Sequence, residues 1–389
     1  MEPTRIPEHA TVALGVVEGD LRVGSRALIR ASQGNLVVVK GRAEFEGGVE
    51  VDCSFECESL ESRDGLVRIA GDLVVHDDAD VEEALYTRGS VRAKRMDVGG
   101  RLSVGQSLEA EAADVGGSLE VQGNAVADSI EVGGSLEVLG DLDIRDLEVG
   151  GSVDVGGGVV TGRIEVGGRF TSKKALRFNK IETGGTVELS GGTGASIEVG
   201  GRLRSMGDLS SEEIEVGGLI EVDGILTGKK AEVGGRIRVS KDLTMSSRLE
   251  VGGTAEVGGI LSGTDAEVGG RLSAAKGMLS GEFTIGGSLE TSQGLKAERI
   301  EIGKDARCIG PLVGGTVHLG RHAQAQDVYC RELTVEGGSR VGKVFAESAD
   351  FGDTCVVERL VYVKDLREGK RVVYLSPPQK ADSLPPFPL

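Results

Sequence analysis

The side chains best placed to do chemistry in this chain are carboxylates on a regular beat. Asp97, Asp114, Glu131, Glu148, Glu165, Glu182, Glu198, Glu215, Glu232, Glu250 and Glu267 follow one another at steps of 16 to 18 residues. If successive copies stack, these acids form a ladder with neighbours about 5 Å apart, and each adjacent pair repels by about 1 kcal/mol or less in water. One reading is a solvated edge that keeps copies from pasting side to side, partly answered by Arg101, Arg169, Arg202, Arg236 and Arg271 just around the corner. The sharper reading is an edge that binds cations or a partner.

Other candidate chemistry is weaker. Twelve in-phase Gly-Gly pairs, from Gly99 to Gly286, imitate phosphate-cradling loops. A phosphate site needs one such loop opening a helix, often with a lysine, so twelve copies without a helix read as corners. His9, His76, His318 and His322 do not form a metal-spaced set with the five cysteines, and Cys53 and Cys57 lack a second pair, so no zinc site is expected. No serine sits in a nucleophile elbow. Polysaccharide-cleaving solenoids need an acid pair beside aromatic platforms, and aromatics are only 3% of this chain. No catalytic residue, cofactor or metal is expected, and the chain reads as a non-enzyme.

What must position the acids is a repeat. Of the eleven steps between first glycines, nine are 17 residues, one is 16 and one is 18. Counting from the first glycine, apolar residues fall at positions 4 and 6, 10 and 12, 15 and 17. In the copy at Gly133 these are Leu136, Val138, Leu142, Ile144, Leu147 and Val149. Each pair has the i, i+2 spacing of a strand with one buried face, and the acid at position 16 points outward. Two glycines per copy break any helix. Glycine is expected at the corners because it reaches positive φ without steric cost. The reading is all-β: a single-domain right-handed parallel β-helix, three-sided, with ~17 residues per turn and about 20 turns, or roughly 100 Å long at the spacing of paired strands.

Composition agrees. Sixty-three glycines and no tryptophan suit a narrow aliphatic core, and the period over 389 residues argues for one elongated body. A net charge of −18 without a basic cluster speaks against nucleic acid. No apolar run approaches the length of a membrane span, and neither a signal peptide nor a lipidation motif is read, so membrane association is possible but not indicated. The odd, scattered cysteines suggest reduced thiols and a cytoplasmic location.

Along the chain, residues 1–11 read as a flexible arm and 12–375 as the β-helix. Within it, 12–98 holds less regular coils, 99–302 is near ideal, and 303–375 holds degenerate coils and a cap. Residues 33–35 and 58–64 read as protruding loops, and 376–389, with five prolines, as a flexible tail.

Val17-Glu18-Gly19-Asp20-Leu21, then 38–43 (Val-Val-Lys-Gly-Arg-Ala) and the repeated Glu-Val-Gly-Gly-Ser-Leu-Glu-Val units, resemble the bactofilins, polymer-forming cytoskeletal proteins, over roughly 12–363. That resemblance implies a right-handed β-helix whose copies join end to end into filaments without nucleotide and act as scaffolds, often at a membrane. This chain is about three times the usual core length, and its Gly-Gly beat is unusually strict. An open solenoid end presents unpaired backbone and an apolar cross-section, so the expected partner is the chain itself. The expected contact residues are Val12 and Leu14 at one end, with Val361, Val363, Val372 and Tyr374 at the other. The alternative is a monomeric rod that displays its acidic edge, loops and Pro-rich tail to other proteins.

Overall fold

The computed structural model describes residues 2–386; Met1 and the last three residues of the tail lie outside them. Among the described residues there is no helix, and short strands pair in parallel as a solenoid of about 22 turns with ~17 residues per turn. Contacts divide the chain into two compact units, Met1–Gly194 and Ala195–Leu389, where one body is expected. The coil type is the same in both.

Stacking in register makes the core. In the first unit, Leu102, Leu119, Leu136, Val153, Phe170 and Val187 lie directly above one another at position 4, all buried. In the second, Leu203, Ile220, Ile237, Ala255, Leu272 and Leu289 form the equivalent column. Each buried aliphatic side chain contributes about 1.5–3 kcal/mol, repeated coil after coil. The six inward slots read from the sequence are those the structure buries: Leu136, Val138, Leu142, Ile144, Leu147 and Val149 are each at most 2% exposed.

The corner glycines have a different reason from the one expected. The positive-φ glycines are Gly34, Gly47, Gly48, Gly65, Gly158, Gly191, Gly263, Gly294, Gly310 and Gly338, so no member of the twelve corner pairs is among them. Their constraint is close stacking. Gly134 N donates to Gly117 O at 2.9 Å, and Gly133 N to Val115 O at 2.9 Å. A Cβ on Gly133 or Gly134 would lie under 3.0 Å from the carbonyl oxygen of the glycine one coil earlier.

Four local expectations change. The solenoid starts before residue 12, since β1 (Thr4–Ile6) pairs with Leu21–Val23 and Ile6 is buried, where a loose arm is expected. Residues 58–63 belong to the strand Ser54–Arg63, with Leu60 buried, instead of a protruding loop. Many strands run through a corner, as Leu108–Val115 does, because the backbone stays paired while the side chains change face. Within the tail, Gln379–Lys380 forms a strand beside Val361–Tyr362.

Candidate functional site

Two features collect the residues that the sequence singles out: the acidic ladder and the two ends.

The ladder is built by register. In the first unit Glu44, Glu61, Asp80, Asp97, Asp114, Glu131, Glu148, Glu165 and Glu182 pair successively along one column, so it starts three acids earlier than the Gly-Gly beat indicates. In the second unit Glu215, Glu232, Glu250 and Glu267 stack likewise, followed by Thr284, Glu301 and His318. Glu198 is exposed on the strand Gly192–Val199.

The counter-charges are not those expected. Arg101 and Arg271 donate instead to the hydroxyls of Ser118 and Ser288 in the next coil, at 3.0 and 3.1 Å. From Glu165 to Glu267 the cations that meet the ladder lie two residues before an acid, on the same outward face. Arg163 reaches Glu165 at 2.7 Å and also pairs with Glu182, which Lys180 joins. Arg248 reaches Glu250 at 3.2 Å and Glu267 at 3.0 Å, and Lys230 pairs with Glu232. This arrangement holds the Glu182 carboxyl below its usual range, chiefly through the hydrogen bond from Lys180. At Asp97 that slot holds Arg95, which pairs with Asp78 at 2.7 Å instead, and at Asp114, Glu131 and Glu148 it holds Ala112, Ser129 and Asp146, so these four acids have no ion-pair partner among the described residues. Asp80, just before them, has its carboxyl pushed up by partial desolvation first, then by Asp97, Glu61 and Glu82. Among the described residues no group of three or more His, Cys, Asp or Glu is placed to hold a metal ion.

Sequence reasoning missed a second set of Asp and Asn side chains at the corners. Asp72 Oδ1 accepts the Ser90 N–H at 2.8 Å, Asn124 Oδ1 that of Asp141 at 2.9 Å, Asp208 Oδ1 that of Ile225 at 2.8 Å and Asp242 Oδ1 that of Ile260 at 2.8 Å. Each oxygen occupies the space where a Cβ of the preceding residue would stand, and that residue is Gly89, Gly140, Gly224 or Gly259. At another corner Asp146 bonds Arg163 N at 3.0 Å below Gly162, and Asp265 bonds Glu282 N at 2.7 Å below Gly281. The legible signal is an Asp or Asn about one repeat before a glycine.

At the N-terminal end, β1, β2 (Thr11–Leu14) and β3 (Val16–Val17) each pair on one side only among the described residues, with Leu21–Val23, Leu28–Ala31 and Leu36–Glu46 respectively. Val12 and Leu14 are half-buried on β2, and Val16 is 60% exposed. At the other end the predicted residues are scattered. Val361 is buried, with Gln379 paired above it, so it lies under the edge instead of on it. Val363 lies in a bend and Val372 just before the strand Val373–Tyr374, both half-buried, and Tyr374 sits on the last coil, edge-on to Phe351 at 6.1 Å.

The five cysteines are free and buried, and burial pushes the thiols of Cys57, Cys308 and Cys330 up to about 12. A groove of about 790 Å³ passes over Ala93, Ala110 and Ala127. Its Arg92 and His76 are engaged with Glu109 at 2.6 Å and Glu56 at 2.9 Å. No family model matches the sequence, and comparisons with curated proteins and with solved structures return no match.

Proposed function

We propose that this chain is a structural protein without catalytic activity, which associates with itself through solenoid ends and serves as a scaffold. The observation that carries the reading is the N-terminal coil, whose three strands lack a neighbour on one side among the described residues while Ile6, Val12 and Val17 sit at inward positions. Unpaired strand edges over an apolar cross-section template the addition of another strand. The sequence resemblance to the bactofilins supports the same reading, in which copies polymerise into cytoskeletal filaments without nucleotide. A reducing, cytoplasmic setting fits the free buried thiols.

Negative-stain electron microscopy and sedimentation of the purified chain at micromolar concentration, without nucleotide, test this. Association that grows with concentration is expected. A chain that stays monomeric throughout would sink the proposal. It would turn attention to the second reading, a monomeric module using its acidic ladder, loops and tail. The stretch of unpaired acids from Asp97 to Glu148 is the feature that favours that reading.

A further inference from the structure

The two ends of the solenoid are chemically different. Repeat position 17 can be followed through both units. In the first it begins at Ile6 and continues through Val23, Phe45, Ser62, Val81 and Val98. In the second it runs through Ile302, Leu319, Val335 and Phe351, then ends on Glu368. Position 12 begins at Val17, above which lie Val39, Cys57 and Val75. Its last members are Cys330, Ala346, Tyr362 and finally Lys380. The third face opens on Val12 and closes on Tyr374. On these three columns the first coil therefore presents aliphatic side chains, while the neighbouring position-15 column opens on Thr4 and closes on Leu366. On the same three columns the last coil presents a carboxylate, an ammonium and a phenol, with Lys380 Nζ 5.8 Å from the Tyr362 ring centroid.

Charged side chains on inward positions of a terminal strand are a recognised protection against edge pairing. Stacking another coil onto this end would bury Glu368 and Lys380, and burying ions is strongly unfavourable unless they are well paired. Pro377 and Pro378, which lack N–H groups, interrupt the same edge. Opposite in character, residues 10–17 (Ala-Thr-Val-Ala-Leu-Gly-Val-Val) hold no charge and no proline.

We infer that self-association runs through the N-terminal coil alone and stops at two copies, related by a two-fold axis across β2. This rests on the reading that solenoid ends self-associate, and it narrows that reading to one end and to a dimer in place of the filaments that the bactofilin resemblance implies. A copy's C-terminal coil is an unsuitable mate, because its inward charges would meet Ile6 and Val17. A second N-terminal coil matches, since a two-fold axis sets the edges antiparallel with uncharged β2 against itself. Arg5 on β1 would oppose its own copy if the axis lay there instead. The backbone is ready for it. Ala10 O and Leu14 O accept from Leu28 N and Ser32 N at 2.9 and 2.7 Å, so alternation turns the N–H and C=O of Thr11 and Ala13 toward the open side. With the axis at Val12, Thr11 of each copy exchanges both bonds with Ala13 of the other, and the two Val12 side chains meet inside.

Sedimentation equilibrium on the full chain and two variants tests this, with circular dichroism confirming the β signal in each. Wild type is expected to approach two copies and no more. Thr11→Lys/Ala13→Lys, at exposed outward positions, is expected to weaken association at least tenfold. Glu368→Leu/Lys380→Leu is expected to extend the assembly beyond two. Filaments from wild type would overturn the inference and leave the self-association reading standing. A dimer untouched by the lysine pair would overturn the assignment to β2. Monomers at every concentration would overturn both.

Discussion

At the scale of single residues, burial and charge neighbours pull related carboxylates in opposite directions. Asp146 accepts the Arg163 N–H and the Arg145 guanidinium, which holds its carboxyl below 3.8, and the stability this adds is present at neutral pH and lost as pH falls through the carboxylate range. Asp80 is the reverse case. Its carboxyl is raised above 3.8, so its ionised form is disfavoured in the fold. That penalty is present at neutral pH, is relieved as pH falls through the raised value, and is gone below 3.8. Asp80→Asn should therefore stabilise the chain in thermal melts at pH 7, by less than about 1 kcal/mol because the site is exposed and screened. The gain should fade in melts at acid pH. A variant no more stable than wild type at pH 7 would count against the repulsive ladder. The ladder itself is readable in the sequence because period and alternation place every position 16 on one face. Its counter-ions are not, since the slot two residues earlier holds Arg163 and Lys180 but also Ala112, Ser129 and Asp146.

At the scale of the coil, the glycines separate two constraints that look alike in sequence. Gly34 has φ 67° and open space, with no atom within 4 Å of where a Cβ would stand, so Gly34→Ala should cost only the left-handed backbone penalty, about 1 kcal/mol. Gly133 has an ordinary backbone but no room, and Gly133→Ala must push two coils apart at a hydrogen-bonded corner. An overpacked site costs about 1–3 kcal/mol, and the larger loss is expected at Gly133 when both variants are unfolded in denaturant. Equal losses would mean the corner can relax. Gly-Gly spacing reveals that a corner exists but not which constraint holds it. The difference lies in the distance to the next coil, which no single repeat contains.

At the scale of the molecule, the strict beat makes the coil type, the period and the six inward slots legible, and the structure reproduces them. The ends are less readable for a physical reason. Beyond 303 the Gly-Gly beat falters and little marks the phase, so Val361 reads as an edge residue. The inward placement of Glu368 emerges only from its pairing with Phe351. The five buried thiols give this molecule an internal clock for breathing. Thiolate is the reactive form, and burial holds these groups protonated, so a disulfide reagent must wait for local opening. A solenoid whose coils rest only on their neighbours should fray from its ends. Cys355, near the last coils, should then be labelled before Cys308 when the chain is pulsed with reagent in mild denaturant and read by mass spectrometry. Simultaneous labelling would instead reveal a second unit, Ala195–Leu389, that opens all at once.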